Sequence, residues 1–122
     1  MGCRIRYAVR DGMLRAVVSG RSSGWAAAWI AHDIVEQAGR ETVKRVLIDL
    51  RGLGDRLGTL GALSMATCQP GDVNGYRVAV VDAMENDAYY AMHEMAARAR
   101  GYVLRCFSSA ADAARWLRGV PG

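Results

Sequence analysis

The chain has 122 residues, 52% of them hydrophobic and 23% charged, with a formal net charge of +4. This is the mass of one compact domain, and no Pro-, Ser- or Gly-rich linker or internal repeat divides it, so residues 1–122 are expected to form one continuous unit. No apolar run reaches the ~18 to 20 residues of a membrane span and none has the form of a signal peptide, so a cytoplasmic protein without a transmembrane segment is expected.

The predicted elements begin with a hairpin. Ile5, Tyr7 and Val9 alternate with Arg4, Arg6 and Ala8, and Leu14, Ala16 and Val18 alternate with Met13, Arg15 and Val17, around the turn signal Asp11-Gly12. Two antiparallel strands with one wet face follow from that pattern, with Arg4, Arg6 and Arg15 on the exposed side. Ser22 or Ser23 is suited to cap a helix running to about Gln37, with Gly39 as its left-handed C-terminal residue. Ala27, Ile30, Ala31, Ile34 and Ala38 keep helical spacing and form a core stripe, beside a second stripe of Trp25, Ala28, Trp29 and His32.

Val46 to Leu50 reads as a third strand, apolar on both faces apart from Asp49, as in a strand covered from both sides. A glycine-punctuated loop follows, RGLGDRLGTLG, and then a short helix over about Thr59 to Cys68 that ends before Pro70-Gly71. Arg77 to Val81 is a fourth strand leading to Asp82. The next helix starts near Asn86 or Asp87, sets Ala88, Met92, Met95, Ala96 and Ala99 on one face and a Glu94–Arg98 pair on the other, and stops at Gly101. Tyr102 to Phe107 is the fifth strand. Ser109 and Asp112 form a capping-box-like start for a last helix, Ala110 to Arg118. Alternation of strands and helices at these lengths requires later strands that run parallel, which makes the class α/β.

Few residues in this frame carry chemistry. GLGDRLG, from Gly52 to Gly58, has glycines at phosphate-loop spacing, but it follows the third strand rather than the first, and no Gly-Lys-Ser/Thr succeeds it. Asp49 and Asp82 stand at the ends of neighbouring strands, where an aspartate usually caps the following turn, and a receiver-type pocket would also need an acidic pair after the first strand and a late lysine. Lys44 is the one lysine in the chain. His32 and His93 each sit alone on a helix, with no elbow nucleophile and no HExxH motif. Cys3, Cys68 and Cys106 lack the CxxC spacing of a zinc site or a disulfide framework. No enzymatic activity, cofactor or metal is therefore expected. The arginines are scattered along the chain and no nucleic-acid-binding motif accompanies them, so no nucleic-acid partner is expected either.

The hairpin-first order, the strand VLIDLRGL leading into DRLGTLGAL, the strand YRVAVVD and the closing VLRCFSSAADAARWLRG resemble the STAS superfamily, in particular its SpoIIAA-like branch. Phe107, Ala114, Trp116 and Leu117 match the ending typical of that branch. The resemblance implies a mixed sheet of about five strands, an N-terminal antiparallel hairpin followed by parallel strands, backed by about four helices. It implies a non-enzymatic regulatory module that binds a protein partner. Relatives act as anti-sigma-factor antagonists, and the fold is also similar to CRAL-TRIO lipid-binding domains. The Asp-Ser-Ser-Gly-like motif of the antagonists is not retained: DRLG, Asp55 to Gly58, puts Arg56 and Leu57 at the hydroxyl positions, and Thr59 is the nearest hydroxyl. Trp116 is expected to pack the last helix onto the sheet.

The expected partner surface is the loop and helix from Leu53 to Leu63 with the neighbouring loop after the fourth strand: Leu53, Asp55, Arg56, Leu57, Thr59, Leu63, Asp82 and Asn86. The partner is an unidentified protein, and a homodimer is expected. The alternative is a carrier for a small apolar ligand or lipid, with a pocket lined by Trp25, Trp29, His32, Met92 and Met95; the tryptophan stripe fits a groove, a dimer contact or the core equally well.

Overall fold

The computed structural model describes residues 3–21, 24–54, 75–82, 94–95, 97–99 and 101–119, with 3, 24–29, 31, 53 and 54 through their backbone alone. Strands β1 (Cys3–Arg10) and β2 (Met13–Arg21) are followed by helix α1 (Gly24–Arg40), strands β3 (Arg45–Gly54), β4 (Arg77–Val81) and β5 (Val103–Phe107), and helix α2 (Ala110–Leu117). The five strands form one sheet in sequence order. β1 and β2 are antiparallel, and every later neighbour pair is parallel. The expected architecture holds, with β3 and β4 central and mutually parallel. The expected helix over Thr59 to Cys68 lies outside the described residues.

The hairpin closes as its sequence requires. Asp11 and Gly12 both have positive φ, 57° and 70°, the two-residue turn whose twist matches that of the flanking strands. Register then sets the faces. Leu14, Ala16 and Val18 of β2, Val46, Ile48 and Leu50 of β3, Val78 and Val80 of β4 and Leu104 of β5 form one core with Ile30, Ile34 and Ala38 of α1 and with Tyr76, Ala97 and Tyr102. The helical stripe of α1 therefore meets the alternate residues of four strands. Tyr7 of β1 anchors the hairpin to α1: its hydroxyl donates to Asp33 Oδ2 at 2.5 Å.

The opposite face carries a smaller core of Met13, Leu47, Ala79, Val81, Ala113, Ala114 and Leu117 under α2. The face expected to be wet along the whole hairpin is thus covered at Met13, which is 6% exposed, while Arg4, Arg6 and Arg15 stay exposed. Helix α2 starts as its capping residues predict, with the Asp112 N–H donating to Ser109 Oγ at 3.3 Å. Leu117 is fully buried, whereas Trp116 only flanks this core. The Trp116 ring lies beneath the Arg77 guanidinium at 4.2 Å and beside Phe107 at 5.7 Å between ring centroids. Arg77 Nη2 also donates to the Trp116 carbonyl at 3.1 Å. Residues 113, 114 and 117 share the stripe that faces the sheet, and Trp116 stands one step off it. Leu117 is the wholly buried anchor of α2, and Trp116, partly buried against the same core, packs the helix onto the sheet through Arg77 and Phe107 as expected.

Two helix ends show where local closure differs from expectation. α1 continues past Gln37 to Arg40; Val43 N–H donates to Ala38 O at 3.1 Å and Thr42 N–H to Gly39 O at 3.2 Å, which is a Schellman closure. The left-handed residue is therefore Thr42, with φ 54°, and Gly39 is helical. The helix before Gly101 closes in the same way, with Tyr102 N–H on Ala97 O and Gly101 N–H on Arg98 O, and Gly101 has φ 92° as expected. Among the described residues of this segment Ala97 is fully buried, while Met95, at 72%, and Ala99 are exposed, so these two do not face the core as expected. Glu94 accepts the Cys106 N–H of β5 at 3.2 Å, a bond to the sheet in place of the expected pair with Arg98.

Candidate functional site

The carboxyl ends of the parallel strands are where the glycine loop leaves the sheet, the usual place for a site in such a fold. β3 reaches further than its apolar run indicates. Pairing with β4 ends at Asp49↔Val81, but pairing with β2 continues through a bulge between Val17 and Ser19 to Ser19↔Gly52, Gly20↔Leu53 and Arg21↔Gly54. The bulge re-aims the strand and carries it beyond its β4 neighbour. Gly52 fits there because a Cβ on it would approach the Ser19 Cβ to 3.3 Å.

Asp49, expected at a strand end, instead sits within β3 and stabilises this extension. Its Oδ1 accepts both the backbone N–H and Nε of Arg51 at 3.0 Å, and its Oδ2 accepts from Arg51 Nη2 at 2.8 Å. Partial burial pushes this carboxyl up, but the hydrogen bonds from Arg51 and the charges of Arg51 and Arg15 outweigh that and hold it below the ordinary aspartate value. The same pairing raises Arg51. Asp49 is thus a structural clamp, spent on its own strand.

Asp82 follows β4 directly, is 2% exposed and is engaged in an interaction of its own. Its N–H donates to Phe107 O at 3.0 Å. It presents little surface. Leu53 belongs to the β3 extension. Asp55, Arg56, Leu57, Thr59, Leu63 and Asn86 lie outside the described residues, so of the expected partner surface the structure describes its root: the end of β3 and the neighbouring end of β4.

The residues of the alternative pocket stand as follows. Trp25 and Trp29 lie on the first turns of α1. His32 is 71% exposed in its side chain and its Nδ1 is 3.3 Å from Glu36 Oε2, an i,i+4 pair on the outer side of α1. Met95 is largely exposed, and Met92 lies outside the described residues.

The Cys106 thiol is pushed well up by burial, and the carboxylates of Glu94 and Asp82 act in the same direction, so it stays protonated at neutral pH. Among the described residues no three His, Cys, Asp or Glu side chains come together as metal ligands. Among them also, no helix is long and apolar enough to cross a membrane.

No family model matches the chain, and no curated protein sequence matches it. Among solved structures, the crystal structure of an anti-sigma factor antagonist from Mycobacterium paratuberculosis is similar, with 16% sequence identity and a TM-score of 0.61 over 95% of this chain and 94% of that one. At this identity what the two share is the fold. The chain therefore shares its fold, a mixed five-stranded α/β sheet, with an anti-sigma factor antagonist.

Proposed function

We propose that this protein is a non-enzymatic regulatory module that binds a protein partner through the segment from Leu53 to Leu63 and the loop after Asp82. The observation that carries the reading is the shared fold with an anti-sigma factor antagonist over nearly the full length of both chains. The β3 extension adds to it. A strand prolonged beyond its β4 neighbour and clamped by Asp49 and Arg51 delivers the following loop from a rigid base, as docking loops are commonly delivered. Arg56 and Leu57 replace the hydroxyl residues of the antagonist motif, so recognition here works without a phosphoserine switch at those positions, and Thr59 is the hydroxyl closest to hand. A homodimer is part of the same reading.

The test is affinity capture from native cell extract followed by cross-linking and mass spectrometry. Cross-links from a captured protein that map to 53–63 support the reading. Native mass spectrometry of freshly purified protein is the complementary measurement: a clean dimer mass agrees with the binding module, and a retained small apolar molecule speaks for a carrier.

A further inference from the structure

The hairpin carries a row of exposed arginines on the side of the sheet that α2 covers. Arg4, Arg6 and Arg10 alternate along β1 on the α2 side of the sheet, and the register sets Arg15 opposite Ala8 on the same side. All four are exposed, and neither they nor Arg118 have an ion-pair partner among the described residues. At the turn end of the hairpin this face opens into a cleft of ≈ 350 Å³ lined by Ala8, Arg10, Met13, Arg15, Ala114 and Arg118, with Asp11 as its one carboxylate. The cleft lies at the amino ends of the parallel strands, opposite the end from which the glycine loop leaves.

β1 is also a sheet edge, paired among the described residues with β2 alone. The two-residue turn decides which of its backbone groups are free. Arg10 and Met13 flank that turn and so exchange hydrogen bonds, and the same holds at every second pair, Ala8↔Arg15, Arg6↔Val17 and Arg4↔Ser19. The N–H and C=O groups of Ile5, Tyr7 and Val9 therefore point outward. A strand added antiparallel on this edge would bond to those three residues. Its side chains opposite Arg4, Arg6, Ala8 and Arg10 would fall at the non-hydrogen-bonded positions, where cross-strand side chains come closest.

We propose that this edge docks an extended acidic segment of a protein partner by strand addition, with acidic residues at every second position facing Arg4, Arg6 and Arg10 and its end entering the cleft beside Arg15 and Arg118. A second copy of the chain fits poorly, because antiparallel pairing about Tyr7 would set Arg4 of one copy opposite Arg10 of the other. A nucleic acid also fits poorly: no aromatic side chain stands among Arg4, Arg6, Ala8, Arg10, Met13, Arg15 and Val17 to stack a base.

The experiment uses a labelled peptide of alternating glutamate and valine, followed by fluorescence anisotropy and amide NMR of the full chain. The expected result is saturable binding with the amides of Ile5, Tyr7 and Val9 newly protected from exchange, and no binding of the alternating lysine and valine peptide. Arg6→Glu combined with Arg10→Glu, both exposed and expected to melt as wild type, weakens binding by roughly tenfold or more. Methylating alternate backbone nitrogens of the peptide abolishes it. Undiminished binding of the methylated peptide, or by the double variant, overturns the proposal, as does equal competition by oligothymidylate or a self-associated dimer whose protected amides are those of β1. Arg56→Glu leaves this binding unchanged, so this surface and the loop surface stand or fail separately.

Discussion

Substituting Leu117 and Trp116 separately by alanine measures how α2 is held. Leu117 is fully buried among Met13, Leu47, Ala79, Val81, Ala113 and Ala114, a core in which it and Leu47 are the largest wholly buried side chains. The surrounding alanines are too short to fill the space, so the cavity persists, and Leu117→Ala is expected to cost about 3 kcal/mol, within the range for such truncations. With a urea slope of about 1.5 kcal/mol/M this lowers the unfolding midpoint by about 2 M. Trp116 is half-buried at the rim, where it holds the Arg77 guanidinium on its ring and leans on Phe107. Trp116→Ala loses these contacts and some packing but leaves no enclosed void, and is expected to cost about 1 to 2 kcal/mol. Paired denaturation curves followed by circular dichroism read both. A Trp116→Ala midpoint below that of Leu117→Ala would mean that the indole, not the leucine, is the anchor of α2, and would overturn the packing described.

Other perturbations act on single devices of the fold. Thr42 is a β-branched residue held at positive φ; Thr42→Gly removes a strain of about 1 to 2 kcal/mol, offset in part by the greater freedom of glycine in the unfolded chain, so a gain of about 0.5 to 1 kcal/mol in thermal unfolding is expected, and a loss would refute the strain. Burial and the bond to Asp33 raise the Tyr7 pKa, so Tyr7 contributes stability that is complete below the tyrosine value of the unfolded chain, about 10, and declines as pH rises above it; Tyr7→Phe should flatten this alkaline limb, and an unchanged limb would count against the bond. Asp49 is shifted the other way: its contribution is present above the unfolded aspartate pKa and is lost as pH falls through the lowered folded value. Asp49→Asn should therefore reduce stability at neutral pH and shrink the loss on acidification, and identical acid limbs for variant and wild type would dismiss the clamp.

What could be read in the sequence is what repeats with a short period. The two-residue alternation of Ile5 to Val9 and of Leu14 to Val18, the Asp11-Gly12 turn, the doubly apolar runs at Val46 and Val78 and the Ser109 cap each specify local structure through nearby residues, and each appears in the fold. What could not be read depends on partners distant in the chain. β3 extends to Gly54 because β2 keeps pairing with it through a bulge, and no local signal in RGLG announces a strand. The helix closing at Thr42 rather than Gly39 depends on which carbonyl the returning chain reaches. The phase of α2 is legible in the four-residue spacing of Ala113 and Leu117, with Trp116 beside that stripe at the rim. The outward-facing arginines of β1 were visible as a pattern, and their relation to a free edge and a cleft required the register and the position of α2.

The central claim, that this fold serves as a protein-binding module through the loop after β3, is tested most directly by comparing wild type and Arg56→Glu as bait in quantitative capture from the same native extract, alongside their thermal unfolding. If Arg56 serves docking rather than packing, its charge reversal changes stability by about 0.5 kcal/mol or less, as surface substitutions do, so the two proteins should melt together. The expected result is a protein enriched by the wild type and depleted with Arg56→Glu; equal recovery by the two baits at equal melting temperature would contradict this role of the loop.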